Sequence, residues 1–167
     1  MKRAVLALAV LVACPALLPA AADSLPEPQV SRFSGKPVPR FETLRFGKVN
    51  GRTGPSRDYK VAWEYARKGL PVLILKESGD WRYVQDPVGD EVWIEKNQLA
   101  GPGNALTKDA FVLKAGRASD SAEVAQIGPN VLVGLGTCDE TMCQITAERF
   151  RGWAPREHLW GAASTKG

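Results

Sequence analysis

Two cysteines five positions apart, Cys138 and Cys143, and the single histidine, His158, are the residues best suited to chemistry in this chain. A thiol nucleophile needs an imidazole in reach, to lower its pKa and to orient its proton. The run Cys138-Asp139-Glu140-Thr141-Met142-Cys143 is spaced for the two ends of a hairpin. A thioredoxin-type redox pair keeps only two residues between its thiols. In an oxidising compartment the pair reads as a structural disulfide, ahead of a two-thiol metal or redox site and further ahead of a catalytic thiol. With one histidine and one thiol pair, a zinc site would need carboxylates from unrelated loops, and no metal is expected. His158 falls in a closing turn beside Leu159, as a surface or half-buried residue. The paired acids Asp86 and Asp90, and Asp139 and Glu140, flank turns and read as solvated. Paired-acid hydrolysis needs two carboxyls at a fixed separation across a bound sugar. The glycine-rich segments lack the lysine and following hydroxyl of a phosphate loop. The chain therefore reads as carrying no catalytic set and no cofactor.

What remains is aromatic. Trp63, Tyr65, Trp81, Tyr83 and Trp93 crowd the front half, with Tyr59 beside a glycine-proline loop; Phe150, Trp153 and Trp160 lie in the back half. Residues two apart on a strand share a face, so Trp81 goes with Tyr83 and Trp63 with Tyr65. One such face must be core, and most of these rings are expected to fill it. A binding groove needs only two or three exposed. The candidates are Tyr59, Trp63, Tyr83 and Trp93, with Arg52 and Arg82 able to pair with a ligand carboxylate.

These residues have to be carried by short strands. Residues 23–40 hold Pro26, Pro28, Pro37 and Pro39 among Ser, Gly and charge, which favours an extended proline-rich lead-in. Lys36-Pro37-Val38-Pro39-Arg40 reads either as a ligand for an aromatic groove or as a rigid lead-in to the first strand, and composition favours the lead-in. A first module is expected over 41–103. Asn50-Gly51-Arg52-Thr53-Gly54-Pro55-Ser56 is its punctuated loop, and Leu70-Pro71-Val72-Leu73-Ile74-Leu75 is a strand buried on both faces with Pro71 at its start. Asp58–Lys68 carries a weak helical period that its aromatics could equally place in a strand. Turns at Ser78-Gly79-Asp80 and Pro87-Val88-Gly89-Asp90 separate further short strands. Gly101-Pro102-Gly103-Asn104 marks a boundary, and a second module is expected over 106–162.

The back half repeats the front half. Trp81-Arg82-Tyr83-Val84 aligns with Met142-Cys143-Gln144-Ile145, Trp93 with Trp153, and Asn97-Gln98-Leu99-Ala100-Gly101 with Glu157-His158-Leu159-Trp160-Gly161. Some five short strands in about sixty residues argue a small barrel in each half.

At the N-terminus, Lys2 and Arg3 precede an apolar run from Ala4 to Val12, and Ala20-Ala21-Ala22 precedes Asp23. This is the three-part form of a secretory signal peptide, residues 1–22, and the run is too short and proline-broken to span a bilayer. Leu11-Val12-Ala13-Cys14 offers the alternative of a lipid anchor through Cys14. A periplasmic or secreted product is expected, with no transmembrane segment in the mature chain. The formal charge is +4, and loss of Lys2 and Arg3 leaves +2. Lys and Arg are scattered among Asp and Glu, so no nucleic-acid surface is expected.

Together Pro37-Val38-Pro39-Arg40-Phe41, Val49-Asn50-Gly51-Arg52-Thr53-Gly54-Pro55-Ser56, Trp63-Glu64-Tyr65, Lys68-Gly69-Leu70-Pro71-Val72, Asp80-Trp81-Arg82, Gly152-Trp153-Ala154 and Leu159-Trp160-Gly161 resemble the exported bacterial SH3-like (SH3b-type) proteins with two tandem modules. The resemblance implies an all-β chain of two small, partly open SH3-like β-barrels. It also implies a noncatalytic binding or adaptor role toward peptides or peptidoglycan, with an envelope protein as a further partner. A structural or assembly factor of the envelope without a small ligand is the alternative, and a cell-wall hydrolase a remoter one, since such modules are grafted onto many tasks. Gly51 departs from the pattern, standing where an apolar strand residue is common and so loosening that strand's end. The second module lacks the Arg-x-Gly-Pro loop, which puts any binding by that loop in module one.

Overall fold

The computed structural model describes residues 28–162. The signal peptide, the Cys14 anchor alternative and the first part of the proline-rich lead-in lie outside the described residues.

The described chain is all-β. A hairpin of β1 (Gln29–Val30) and β2 (Pro37–Val38) precedes two seven-stranded antiparallel sheets. The first contains β3 (Arg40–Leu44), β4 (Val49–Arg52), β5 (Val61–Tyr65), β6 (Pro71–Ser78), β7 (Trp81–Gln85), β8 (Glu91–Glu95) and β9 (Leu99–Ala100). The second contains β10 (Asn104–Thr107), β11 (Phe111–Lys114), β12 (Glu123–Ile127), β13 (Leu132–Cys138), β14 (Met142–Ala147), β15 (Phe150–Pro155) and β16 (Leu159–Trp160). Single 3-10 turns, Lys96–Gln98 and Arg156–His158, precede β9 and β16.

The two sheets share one topology. Their orders are β5-β4-β8-β7-β6-β3-β9 and β12-β11-β15-β14-β13-β10-β16, and each has two free ends, so neither closes into a full barrel. The ambiguous Asp58–Lys68 stretch yields strand β5, and Pro71 opens β6, where its missing N–H costs the ladder least.

Two expectations are corrected here. The core of the first sheet is aliphatic rather than aromatic: Leu44, Val49, Val72, Ile74, Val84, Val92, Ile94 and Leu99 fill it, and Tyr65 is the one ring among them. Strand alternation is the reason, because β7 and β8 turn Val84, Val92 and Ile94 inward and Trp81, Tyr83 and Trp93 outward. Nor is the lead-in an extended tether over its described part. β1 and β2 pair antiparallel, and the connecting turn folds back so that Ser31 and Ser34 donate to the Glu77 carboxylate at 2.6 and 2.9 Å.

Asp86 is also not a solvated turn acid. It is 3% exposed, accepts from the Val88 and Asp90 amides and takes the Tyr65 hydroxyl at 3.2 Å. Burial, and then the Asp86 charge and hydrogen bond, push the Tyr65 phenol well above its ordinary range. Asp139 does behave as a turn acid. It accepts from the Thr141 and Met142 amides and pairs with Arg117 at 2.9 Å.

Cys138 and Cys143 form a disulfide across the β13–β14 hairpin, directly opposite in register. Closing so short a loop stabilises by about 2 kcal/mol in the chain-entropy account. Adding a reductant should therefore lower the second sheet's thermal unfolding midpoint and leave the first sheet's unchanged, as followed by residue-resolved NMR. Equal shifts in both sheets would count against this localisation.

The sheets touch where Phe41 and Trp160 meet edge to face, with ring centroids 5.1 Å apart. Arg67 donates to the Asn130 carbonyl at 3.1 Å and Asn104 to the Gly69 carbonyl at 3.2 Å across the same junction.

Candidate functional site

On the outer face of the first sheet, backbone pairing lines up four side chains from four adjacent strands. Lys76 on β6 stands opposite Tyr83 on β7, Tyr83 opposite Trp93 on β8, and Trp93 opposite Arg52 on β4. The two rings tilt together with centroids 5.1 Å apart, and the Lys76 ammonium sits 4.4 Å above Tyr83 and 5.6 Å from Trp93. The Tyr83 hydroxyl donates to Glu91 at 2.7 Å. That bond, reinforced by partial burial and the Glu91 charge, raises the phenol's pKa and keeps it a neutral donor. Arg52 extends the row and donates to the Tyr59 carbonyl at 2.6 Å, which fixes the glycine-proline loop beside it. A tilted aromatic pair flanked by two cations suits an extended ligand bearing carboxylates and apolar groups.

Of the six expected site residues, Arg52, Tyr83 and Trp93 come together in this row. Tyr59 joins at its end through Arg52, with its ring against Gly54 and 49% exposed. Trp63 is 50% exposed but pairs with Gly51 rather than Arg52, so it belongs to the opposite face of the edge strand. Arg82 is a correction. It points inward from β7 and is 6% exposed, its Nε bound to Glu77 at 3.1 Å and its Nη1 to the Gly79 and Trp81 carbonyls. It therefore does not face the outer row.

Lys76 was not among the expected residues. A β-bulge between Ile74 and Lys76 shifts the register, so alternation counted from the buried β6 residues places Leu75 where Lys76 stands. No local sequence signal marks this bulge. In the second sheet the same slots hold Gln144, Trp153 and Lys114, with the Arg117 guanidinium 4.1 Å over the Trp153 ring.

Catalytic geometry is not assembled among the described residues. Both described cysteines are in the disulfide, and no group of three His, Cys, Asp or Glu side chains could hold a metal ion. His158 stacks on Phe111, and its Nδ1 is bonded to Asp109. No helix among the described residues is long and apolar enough to cross a membrane.

Comparison with known proteins bears on this sheet directly. Residues 47–101 match the family model described as bacterial SH3 domain. The first sheet thus carries a bacterial SH3-like domain. The outer row lies wholly within this SH3-like segment, and the second sheet repeats its strand order. Two solved structures from Trichomonas vaginalis are similar, NlpC2 at 13% identity with a TM-score of 0.34 and NlpC1 at 14% with 0.36. They cover 74% and 83% of this chain, which in turn spans about half of each, 48% and 51%. No curated protein matches the chain.

Proposed function

We propose that this chain is a noncatalytic binding or adaptor protein of the bacterial envelope, exported to the periplasm or secreted. Its ligand is a peptide or a peptidoglycan fragment, held on the outer row of the SH3-like segment. The observation that carries the reading is the ladder Lys76–Tyr83–Trp93–Arg52, two half-buried rings between two cations on one open sheet face. The rings offer apolar area, and the cations offer charge to stem-peptide carboxylates. Tyr59 at the margin, tied to Arg52, would extend the contact. Such a shallow surface suits micromolar affinity, about −8 kcal/mol.

The test is a titration of the protein with purified peptidoglycan fragments, followed by amide NMR. Saturable shifts at Tyr83, Trp93 and Arg52 are expected, and Trp93→Ala should weaken binding at least about tenfold, as loss of an aromatic anchor does. Shifts that spare the row, or no shifts, would remove this ligand class.

A second reading has one observation in its favour. Edge strand β5 exposes Val61 and Trp63 beside exposed Tyr59, an apolar margin that suits an envelope protein partner in a structural or assembly role. Concentration-dependent association abolished by Trp63→Ser would support that reading over the first.

A further inference from the structure

The folded-back hairpin and the first sheet enclose a polar cleft of about 250 Å³, lined by Ser34, Lys36, Arg40, Glu42, Arg82 and Lys96. We propose that this cleft binds a small oxyanion, a carboxylate or phosphate group presented by a ligand. The charges around it do not cancel. Lys36, Arg40, Arg82 and Lys96 face Glu42, Glu77 and Asp80, four cations against three carboxylates, leaving +1 in a protein-walled recess.

The donors are unequally used. Arg40 spends four of its five donors on Glu42, Glu77 and the Pro37 carbonyl. Arg82, its side chain only 7% exposed, spends Nε on Glu77 and Nη1 on two carbonyls, while its Nη2 has no protein partner among the described residues. A guanidinium carries five donors, and the two on Nη2 left open in a recess make a strong oxyanion anchor. Lys36 reaches Glu42 only at 3.9 Å, and Lys96 holds an exposed Asp80 at 2.7 Å. Both ammonium groups are therefore placed to add charge over an anion held by Arg82.

The second sheet provides the internal contrast. By register, Cys138 and Cys143 stand where Glu77 and Arg82 stand in the first, so the disulfide replaces the charged pair there. Among the described residues, the Glu77–Arg82 arrangement has no copy in the second sheet. Because Ser34 and Lys36 come from the hairpin, occupancy also couples to hairpin docking.

The experiment titrates the whole protein separately with inorganic phosphate and with acetate at constant ionic strength, reading amide shifts of Ser34, Leu99 and Gly101. Saturation at one equivalent in at least one arm is expected, and the tighter arm identifies the group preferred. Lys36→Ala/Lys96→Ala should weaken that binding about tenfold or more with an unchanged thermal midpoint, while Asp80→Asn, which removes a competing carboxylate, should strengthen it. Shifts that fail to saturate in both arms, or equal binding by the double variant, would overturn the proposal. Neither result touches the outer row, which free ions do not probe.

Discussion

Replacing Glu77 with alanine is expected to destabilise the first sheet by about 3–5 kcal/mol, the range for breaking one partner out of a buried charge cluster. The Glu77 side chain is fully buried, and its two oxygens take Ser31, Ser34, Arg40 and Arg82. Arg40 keeps Glu42 after the change, but Arg82, only 7% exposed, loses the carboxylate it bonds. The hairpin loses both serine anchors at the same time. Burial alone would push the Glu77 carboxyl up, but hydrogen bonds from Ser31, Arg40 and Ser34 and the Arg82 charge outweigh it and hold the pKa below the ordinary value. A carboxyl lowered on folding stabilises fully above its unfolded pKa. That contribution is lost as the pH falls from there through the folded value. Denaturant unfolding from pH 7 downward should therefore show the wild type losing stability in this acid window more steeply than Glu77→Ala, which keeps the lowered carboxyls of Asp80 and Asp139. A variant within 1 kcal/mol of wild type at pH 7 would contradict the assignment. A control comes from the second sheet: Glu77→Cys/Arg82→Cys places cysteines at the register of Cys138 and Cys143 and should form a cross-strand disulfide that restores much of the loss.

Gly152→Val is expected to cost about 3 kcal/mol, at the upper end of overpacking. A Cβ on Gly152 would stand 2.5 Å from the Lys114 carbonyl and 2.8 Å from Leu113 Cγ, and the carbonyl belongs to backbone that cannot rotate away. The first sheet solves the same contact in reverse. Arg52 pairs with Trp93 as Lys114 pairs with Trp153, which makes Gly51 the counterpart of Leu113 and Val92 the counterpart of Gly152. A Cβ on Gly51 would meet Val92 Cγ2 at 2.6 Å. Gly51 therefore does not loosen its strand; it makes room for Val92. It follows that Gly51→Leu should destabilise the first sheet, and that Gly51→Leu/Val92→Gly should recover most of the loss by transplanting the second sheet's arrangement. Chemical denaturation of the single and double variants measures the coupling directly, and additive losses would refute the reciprocal packing.

The repeat was legible from Trp93 and Trp153 and from the two closing turns, because outward tryptophans and turn glycines sit at fixed places in each strand order. The disulfide was legible from spacing, since a six-residue run ending in cysteines fits the two arms of a hairpin. Alternation alone does not place Arg82 off the aromatic row, because it tells which residues share a face but not which face is buried. A charged residue between Trp81 and Tyr83 looks outward until Glu77, Ser31 and Ser34 are seen to come from elements far along the chain. Lys76 was missed for a second reason, the bulge after Ile74, which leaves no trace in local composition.

The residues by themselves determined an all-β chain of two like halves, the turns that punctuate them and the cross-strand cysteine link, because these depend on neighbours within a few positions. Only the tertiary structure decided that the core is aliphatic, that the lead-in folds back as a hairpin, that Glu77 and Arg82 do in one sheet what a disulfide does in the other, and that Gly51 and Gly152 answer Val92 and Leu113. Each of these depends on which strand lies beside which and in what register, a choice made by the packing of the whole sheet rather than by any segment of it.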